Sequence, residues 1–536
     1  MKQLLYRLPK PFQLTLLAVL LAVGAHAQEK LPVIAPYNYL NLREAYMDSL
    51  NVHTAVRPLL HEDTSAMYTR PDTTKRSWIY RKLFREHLFE FRTQDYNVFV
   101  DFLPDFQVGK SRIGSKTTWL NTRGASVKGN IGKNFYFETT FFENQGVFPY
   151  YLDSFMRKMS VVPGQGSYKL YQDGKGFDYS NVSALLAYTP NKYLSMAAGY
   201  GQNFIGDGHR SLLLSDNQYS YPYLKLTGTL GKFQYTAIWA QFMDRYALDF
   251  GQAYHDIGYP KKWGVFHYLD WNVSKKLSIG VFDAVIWPDA DSSGRKRGFD
   301  WSYMNPIIFL RPAEFSEGSS DNAVLGANAK FKLATKTTMY GQLVLDEFKL
   351  KEMVSGKGWW ANKWGVQLGI KSYDVFRVKG LDVQGEFNTV RPYTYSYRNT
   401  ATNYAHYNQS LAHPLGANFR ELLGIASYRL KRWYVRGELM WSQYGIDPDS
   451  KTNYGQNIYK PYLTYVNVYG NHIAQGIKTD LLYGQGVVAY VLNPKNNLRV
   501  EMSVTGRSEK NNVFMSRDLI FNIGLRSSFR QFAYDF

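Results

Sequence analysis

The sequence predicts an all-β fold: a transmembrane antiparallel β-barrel of about 18 strands with a small N-terminal helical periplasmic segment. Three observations carry this. Strands with one apolar and one polar face recur along most of the 536 residues. Short turns alternate with long connections. A secretory signal opens the chain, yet no later stretch supplies the roughly 18 apolar residues of a spanning helix.

The pattern is clearest between Leu423 and Tyr444. Trp433, Val435, Gly437, Leu439 and Trp441 share one face of a strand. Tyr434, Arg436, Glu438, Met440 and Ser442 share the other. The two Trp are about 26 Å apart along a strand, or about 20 Å of membrane depth after tilt. Leu423 to Leu430 reads as the partner strand, joined through the tight turn Lys431-Arg432. An aromatic-bracketed apolar face, a polar inner face and a short turn describe a barrel hairpin. A single such hairpin also fits a soluble β-sandwich, so repetition decides.

Lys2, Arg7 and Lys10, then the apolar run from Leu14 to Val23, then Ala25-His26-Ala27 form a secretory signal over 1–27, with the mature chain starting at Gln28. The 43 Tyr, 16% aromatic content and mean hydropathy of −0.36 suit a barrel and not a helical membrane protein. The absence of Cys excludes disulfides and a lipoprotein anchor. A formal charge of +19 favours anionic partners such as acidic polysaccharide and lipopolysaccharide phosphates. No nucleic-acid module is present in the sequence pattern.

Residues 28–94 are polar and mixed. Tyr39 to Leu50 and Trp78 to Phe91 have helical spacing, with Ile79, Leu83, Leu88 and Phe91 on one face of the second. A periplasmic helical segment packed on or partly inside the barrel is expected; a linker is the alternative.

From 95 to 536 strand signals continue to the end. Tight turns are expected near Gly132-Lys133, Pro190-Asn191, Gly231-Lys232, Ser274-Lys275, Thr335-Lys336, Asp374, Lys431-Arg432 and Pro494-Asn496. Long connections are expected near 144–180, 203–222, 244–262, 288–322, 346–362, 388–420, 442–478 and 506–516. Short turns belong to the periplasmic side. Leu519, Phe521, Ile523 and Leu525 alternate, and Phe532, Tyr534 and Phe536 extend the alternation into a signal for barrel-insertion machinery.

Two stretches are too apolar and too rich in Gly and Pro for open surface loops. They run from Gly199 to Leu224 and from Tyr303 to Asn322, and both are expected to fold into or across the barrel mouth. At Asn203 to Asn217, Asn305 to Pro312, Gly341 to Phe348, Arg81 to His87 and the closing Phe532 to Phe536, the chain resembles the Wzi-type capsule-assembly family of outer-membrane barrels. The resemblance is to its Bacteroidota branch, which includes gliding-associated relatives. The resemblance implies a barrel of about 18 strands, a periplasmic helical segment and a lectin-like role in retaining exported polysaccharide. It implies no enzyme and no cofactor.

Acidic sugars call for flat rings, planar polar groups and Arg or Lys. The first stretch offers Asn203, Asp207, His209, Arg210, Asp216, Asn217 and Tyr221; the second offers Tyr303, Arg311, Glu314, Asp321 and Asn322. Each either braces its loop against the wall or meets a ligand, and Arg210 and Arg311 are the residues expected to contact anions. Asp289 to Gly294 with Asp300 matches EF-hand spacing, but Arg295-Lys296-Arg297 puts cations inside it, so a solvated loop is the expectation. His209, Arg210 and Ser211 beside Asp207 do not make a hydrolase, because adjacency does not bring a triad together in space. A porin-like channel and a surface component of a motility or secretion apparatus remain the rival roles.

Overall fold

In a computed structural model the described residues are 43, 46–47, 51–59, 76–244, 258–290, 295–305, 307–309, 321–347, 349–527 and 532–536. Eighteen antiparallel strands close into a barrel. They are β1 (Tyr96–Ser111), β2 (Thr117–Ile131), β3 (Phe135–Val147), β4 (Gly176–Asn191), β5 (Leu194–Gly201) and β6 (Tyr221–Leu230). There follow β7 (Phe233–Met243), β8 (Lys261–Asn272), β9 (Leu277–Pro288), β10 (Asn322–Ala334), β11 (Thr337–Glu347) and β12 (Lys363–Ser372). The last six are β13 (Leu381–Val390), β14 (Phe419–Leu430), β15 (Trp433–Ile446), β16 (Ile477–Asn493), β17 (Leu498–Lys510) and β18 (Met515–Ser527). β18 pairs with β1 and closes the ring.

Every predicted short turn joins two neighbouring strands, and the predicted long connections leave from the opposite strand ends, except that 506–516 is no long connection: β17 and β18 stay paired up to Lys510–Met515 and reverse through residues 511–514. Leu430 and Trp433 pair across Lys431-Arg432, where Lys431 adopts φ 55° to make the two-residue reversal. On β15 the predicted faces hold. Leu439 is 70% exposed on the lipid side, whereas Glu438, Met440 and Ser442 are buried inside.

Two sequence expectations change near the chain's ends. Trp78 to Phe91 is not one helix. Helix α1 (Trp78–Phe84) begins where the Ser77 hydroxyl accepts the Tyr80 N–H at 3.3 Å, and it stops at Phe84. Phe89–Arg92 is a strand, paired with β1 as Phe89–Val100 and Phe91–Val98. Asp101 accepts from the Leu88 N–H at 3.1 Å and contacts His87 Nδ1 at 2.5 Å, which turns the chain out of the helix. The alternation of Phe89, Glu90, Phe91 and Arg92 then has period two. Arg43, Tyr46 and Met47 are helical; the rest of 39–50 and the signal segment lie outside the described residues.

The second change concerns the last aromatics. Leu519, Phe521, Ile523 and Leu525 face lipid on β18 as expected, but the strand ends at Ser527. Phe532, Tyr534 and Phe536 pack inside, against helix α2 (Tyr150–Met159) and the residues after it. Tyr151 Oη donates to the Tyr534 carbonyl at 3.0 Å, and Phe155 meets Phe536 at 4.4 Å. If β18 continued, its parity would point these three rings into the lumen and Asp535 at lipid. The buried charge of Asp535 instead finds a partner inside.

The interior is a packed core. Leu212, Leu213 and Leu214 are fully buried among Phe266, Phe282, Val324, Val344, Tyr395, Tyr404 and Leu411. Aliphatic and aromatic groups at that density leave no water layer between loop and wall.

Candidate functional site

The connection 202–220 after β5 turns into the lumen. Phe204–Ile205 pairs with Val56–Arg57, so the N-terminal segment and this loop meet as a two-stranded sheet inside the barrel. Residues 51–54 brace it from the short-turn side. Asn51 Nδ2 donates to the Ser274 carbonyl at 3.0 Å, His53 Nδ1 contacts Asp270 at 2.7 Å, and Lys330 Nζ donates to the Val52 carbonyl at 2.7 Å. Gly208 must be glycine: a Cβ there would meet Glu386 Oε2 and Gln367 Oε1 at 2.7 and 2.8 Å.

Asp207 is the hub of this lower tier. It accepts from Tyr46 Oη at 2.7 Å, Thr54 Oγ1 at 2.6 Å and Asn328 Nδ2 at 2.8 Å, and Lys371 donates to its carbonyl. Burial alone would raise its pKa, but Lys330, Lys371 and these hydrogen bonds outweigh it and hold the carboxyl down at about 2.

Arg210 is the hub of the upper tier. Its guanidinium meets Asp535 at 2.5 Å and Glu421 at 3.5 Å, and its N–H and that of His209 donate to Glu386 at 3.0 and 2.7 Å. Burial opposes its charge; Asp535 and Glu421 more than offset that and keep it protonated. Burial, then Arg210 and Arg436, push His209 down to about 3, against a smaller pull from Asp535 and Glu421. Ligand atoms of His209, Glu438 and Asp535 lie within 4.8 Å of one another. Both carboxylates already face guanidinium groups, Asp535 that of Arg210 and Glu438 that of Arg436.

The remaining described residues divide between the two faces of the wall. Those of the first stretch and Asn322 are internal. Tyr303 instead packs on Trp239, Val265, Val285 and Trp287, outward-facing residues of β7–β9, with Asp321 beside it, so the described part of the second stretch folds over the outside of the wall and not into or across the barrel mouth. Tyr221 is fully buried and its hydroxyl accepts the Asn203 N–H at 3.1 Å. Asn217 Nδ2 donates to Ser215 Oγ at 2.7 Å and to the Ala412 carbonyl at 3.2 Å. Asp216 is half-buried in the same loop, and burial raises its pKa. In the second stretch, Asp321 accepts from Tyr303 Oη at 2.6 Å and from Arg297 at 2.7 Å, while Asn322 Nδ2 donates to the Thr402 carbonyl at 2.8 Å. Asp300 binds Arg297 at 2.6 Å and Asp289 accepts from Trp263 Nε1 at 2.7 Å, which commits both ends of the EF-hand-like stretch to protein partners. Arg311 and Glu314 lie outside the described residues.

So the loop around Arg210 meets its own chain, and the Arg210 charge has internal counterions. A surface that faces outward is built from residues 349–362 and 447–476. They are zipped by backbone hydrogen bonds: Trp360 N–H to Val468 O at 3.0 Å, Gly470 N–H to Lys357 O at 2.9 Å, and Asn471 N–H to Gly358 O at 2.9 Å. Trp360 stacks on Tyr465 at 4.6 Å and 15°, and packs on Tyr462 at 5.1 Å. Trp359 sits beside it at 6.1 Å with Lys349 Nζ 4.8 Å above its ring. Leu463, Val466, Val468 and Tyr469 around this shelf are exposed.

Arg391 lies under the shelf. Its Nη2 donates to the carbonyls of Asn471 at 3.2 Å and Trp359 at 3.4 Å, and its Nε is buried with no hydrogen-bond partner. Burial lowers its pKa, and among the described residues no carboxylate offsets that. Its guanidinium thus fastens the two connections to each other from beneath. The sequence carried a signal for this site, two adjacent Trp after Gly356-Lys357-Gly358, in a connection recognised only for its length.

No family model and no curated protein matches the chain. Among solved structures it is similar to Wzi of Escherichia coli, an outer-membrane protein involved in group 1 capsule assembly and described as a carbohydrate-binding β-barrel. The two are 12% identical with a TM-score of 0.52, over 93% of this chain and 100% of that one. It is also similar to Pseudomonas aeruginosa OprD (10% identity, TM-score 0.40, covering 80% and 94%) and to Acinetobacter baumannii OccAB2 (10%, 0.44, 80% and 97%). At these identities the likeness to Wzi shows the fold, that of an outer-membrane β-barrel.

Proposed function

We propose that this chain binds and retains exported capsular or extracellular polysaccharide at the cell surface, as a lectin-like barrel and not an enzyme. The single observation that carries the reading is the outward shelf of Trp359, Lys349 and Arg391. It pairs a flat ring with two cations on loops fixed to each other. A sugar face on the ring contributes about 0.5–1.5 kcal/mol. The packed lumen serves as a rigid base, with Asn203, Asp207, His209, Arg210, Asp216, Asn217, Tyr221 and Asn322 setting loop positions, while Tyr303 and Asp321 fix the connection after β9 against the outer face of the wall. Arg311 and Glu314 stay in the proposal as further contacts. The likeness to a carbohydrate-binding barrel supports the reading.

The test is binding of the purified protein, in detergent, to immobilised polysaccharide shed by its own source. Wild type is expected to bind with a salt-sensitive affinity. Trp359→Ala and Arg391→Ala are each expected to lose about tenfold or more. Binding by both variants at the wild-type level would remove the shelf; no binding by wild type would remove the polysaccharide reading itself.

A further inference from the structure

The short-turn rim of the barrel has a step. The last residue of β18 paired with β1 is Arg526, opposite Asp105, so the Tyr96–Pro104 half of β1 runs on past the end of β18. Phe89–Arg92 pairs with Asn97–Val100 of that half. Helix α1 lies along the same rim, held to the end of β16 and to the turn between β14 and β15. Asn493 Nδ2 donates to the Lys82 and Glu86 carbonyls at 3.0 and 2.9 Å, and Arg432 Nη2 reaches the Phe84 carbonyl at 3.5 Å.

The outward side of this patch is apolar. Trp78 is 56% exposed, Ile79 63%, Leu83 49%, Phe89 48% and Phe91 54%. Tyr80 and Phe84, 4.9 Å apart, take the opposite, inner side of the helix. An aqueous periplasm does not favour five large apolar groups in one continuous patch. Their height is set by Arg432, which precedes Trp433; Trp433 pairs with Tyr490 at 5.0 Å in the inner aromatic girdle. Phe89 and Phe91 also continue the lipid-facing row of Val98, Val100, Phe102 and Phe106. Charge completes the pattern: Arg76, Arg81, Lys82, Arg85 and Arg92 accompany two acids, Glu86 and Glu90, with Arg81 47% exposed.

We propose that α1 and Phe89–Arg92 form an interfacial patch docked on the periplasmic leaflet of the outer membrane. Trp78, Ile79 and Leu83 enter the headgroup layer, and Arg76 and Arg81 meet phospholipid phosphates. The occupant is phospholipid, because the patch is continuous with the lipid-facing belt and carries the charge that complements phosphate. Phe89–Arg92 closes a wall that β18 leaves short.

The cysteine-free sequence makes the test direct. Ile79→Cys, Leu83→Cys and the turn variant Lys133→Cys are each spin-labelled in the full-length protein, in bilayers of phosphatidylethanolamine and phosphatidylglycerol. Heat-modifiable gel migration confirms that each variant keeps its barrel. At 79 and 83 the ratio of oxygen to nickel-chelate collision is expected to exceed that at 133 by about threefold or more. Adding Arg76→Glu and Arg81→Glu is expected to bring the ratio at 79 down toward that at 133. A ratio at 79 and 83 equal to that at 133 puts the face in water and overturns the proposal. Low collision with both reagents puts it under protein and overturns it too. An unchanged ratio after charge reversal removes the phosphate contact.

Discussion

Arg210 and Asp535 stand 325 residues apart in the chain and meet at 2.5 Å inside the barrel. The pair joins the loop after β5 to the last residues of the chain, and Glu421 on β14 lies 3.5 Å away on the same guanidinium. Loop, tail and wall thus share one buried charge network.

Removing one member leaves the others uncompensated. Arg210→Ala is expected to cost about 3–5 kcal/mol, because Asp535 and Glu421 stay buried without their cation. The double variant Arg210→Ala, Asp535→Ala is expected to cost less than the sum of the two single changes. Urea unfolding in micelles, followed by tryptophan emission, measures both; additive effects would mean the residues are not coupled.

Acid should weaken the same network early. His209 is held at about 3 in the fold against 6.5 in an unfolded chain, by burial and by Arg210 and Arg436, opposed by Asp535 and Glu421. Below about pH 6.5 the unfolded chain takes a proton that the folded one refuses, so stability falls as pH falls. Between pH 6.5 and about pH 4 the loss from this residue is roughly 3 kcal/mol, and His209→Gln is expected to flatten it. Urea midpoints across that range supply the measurement; a slope unaltered by the substitution contradicts the assignment.

Asp207 works at lower pH. Its carboxyl, at about 2 in the fold and 3.8 otherwise, adds stability that is present above pH 4 and lost toward pH 2. Asp207→Ala also frees Tyr46 and Thr54 and strips Lys330 and Lys371 of their counterion. The N-terminal segment 51–58 is expected to become the first site cut in limited proteolysis, at a rate roughly tenfold above wild type. Cleavage at the wild-type rate would show that the segment is held by other contacts.

The packed core also makes an electrical prediction. With Leu212 to Leu214 buried among groups from the wall and from connection 391–418, the protein in planar bilayers is expected to show no steady conductance. Stable steps of the size of a water-filled barrel would revive the porin reading.

The barrel was legible because period two, girdle aromatics and short turns are local signals. The destination of the loops was less so. Asp207 and Arg210 look like ligand groups in a list of residues, yet their partners Asn328, Glu421 and Asp535 come from far along the chain, and no spacing rule reports that. The tail was half legible. The change of parity between Leu525 and Phe532 marks a departure from β18, although the three aromatics by themselves look like continued alternation. Phe91 fits a helical face together with Ile79, Leu83 and Leu88, while its pairing with Val98 depends on a step in the barrel wall.

The central claim is that the outward shelf holds polysaccharide. Its most direct measurement is the partition of exported polysaccharide between cells and medium, in a deletion strain complemented with wild type or with Trp359→Ala, Arg391→Ala, both checked for equal barrel levels in the outer membrane. The account predicts that deletion moves polymer into the medium, that wild type restores retention and that the double variant does not. Retention that survives deletion, or that the double variant restores in full, would contradict it.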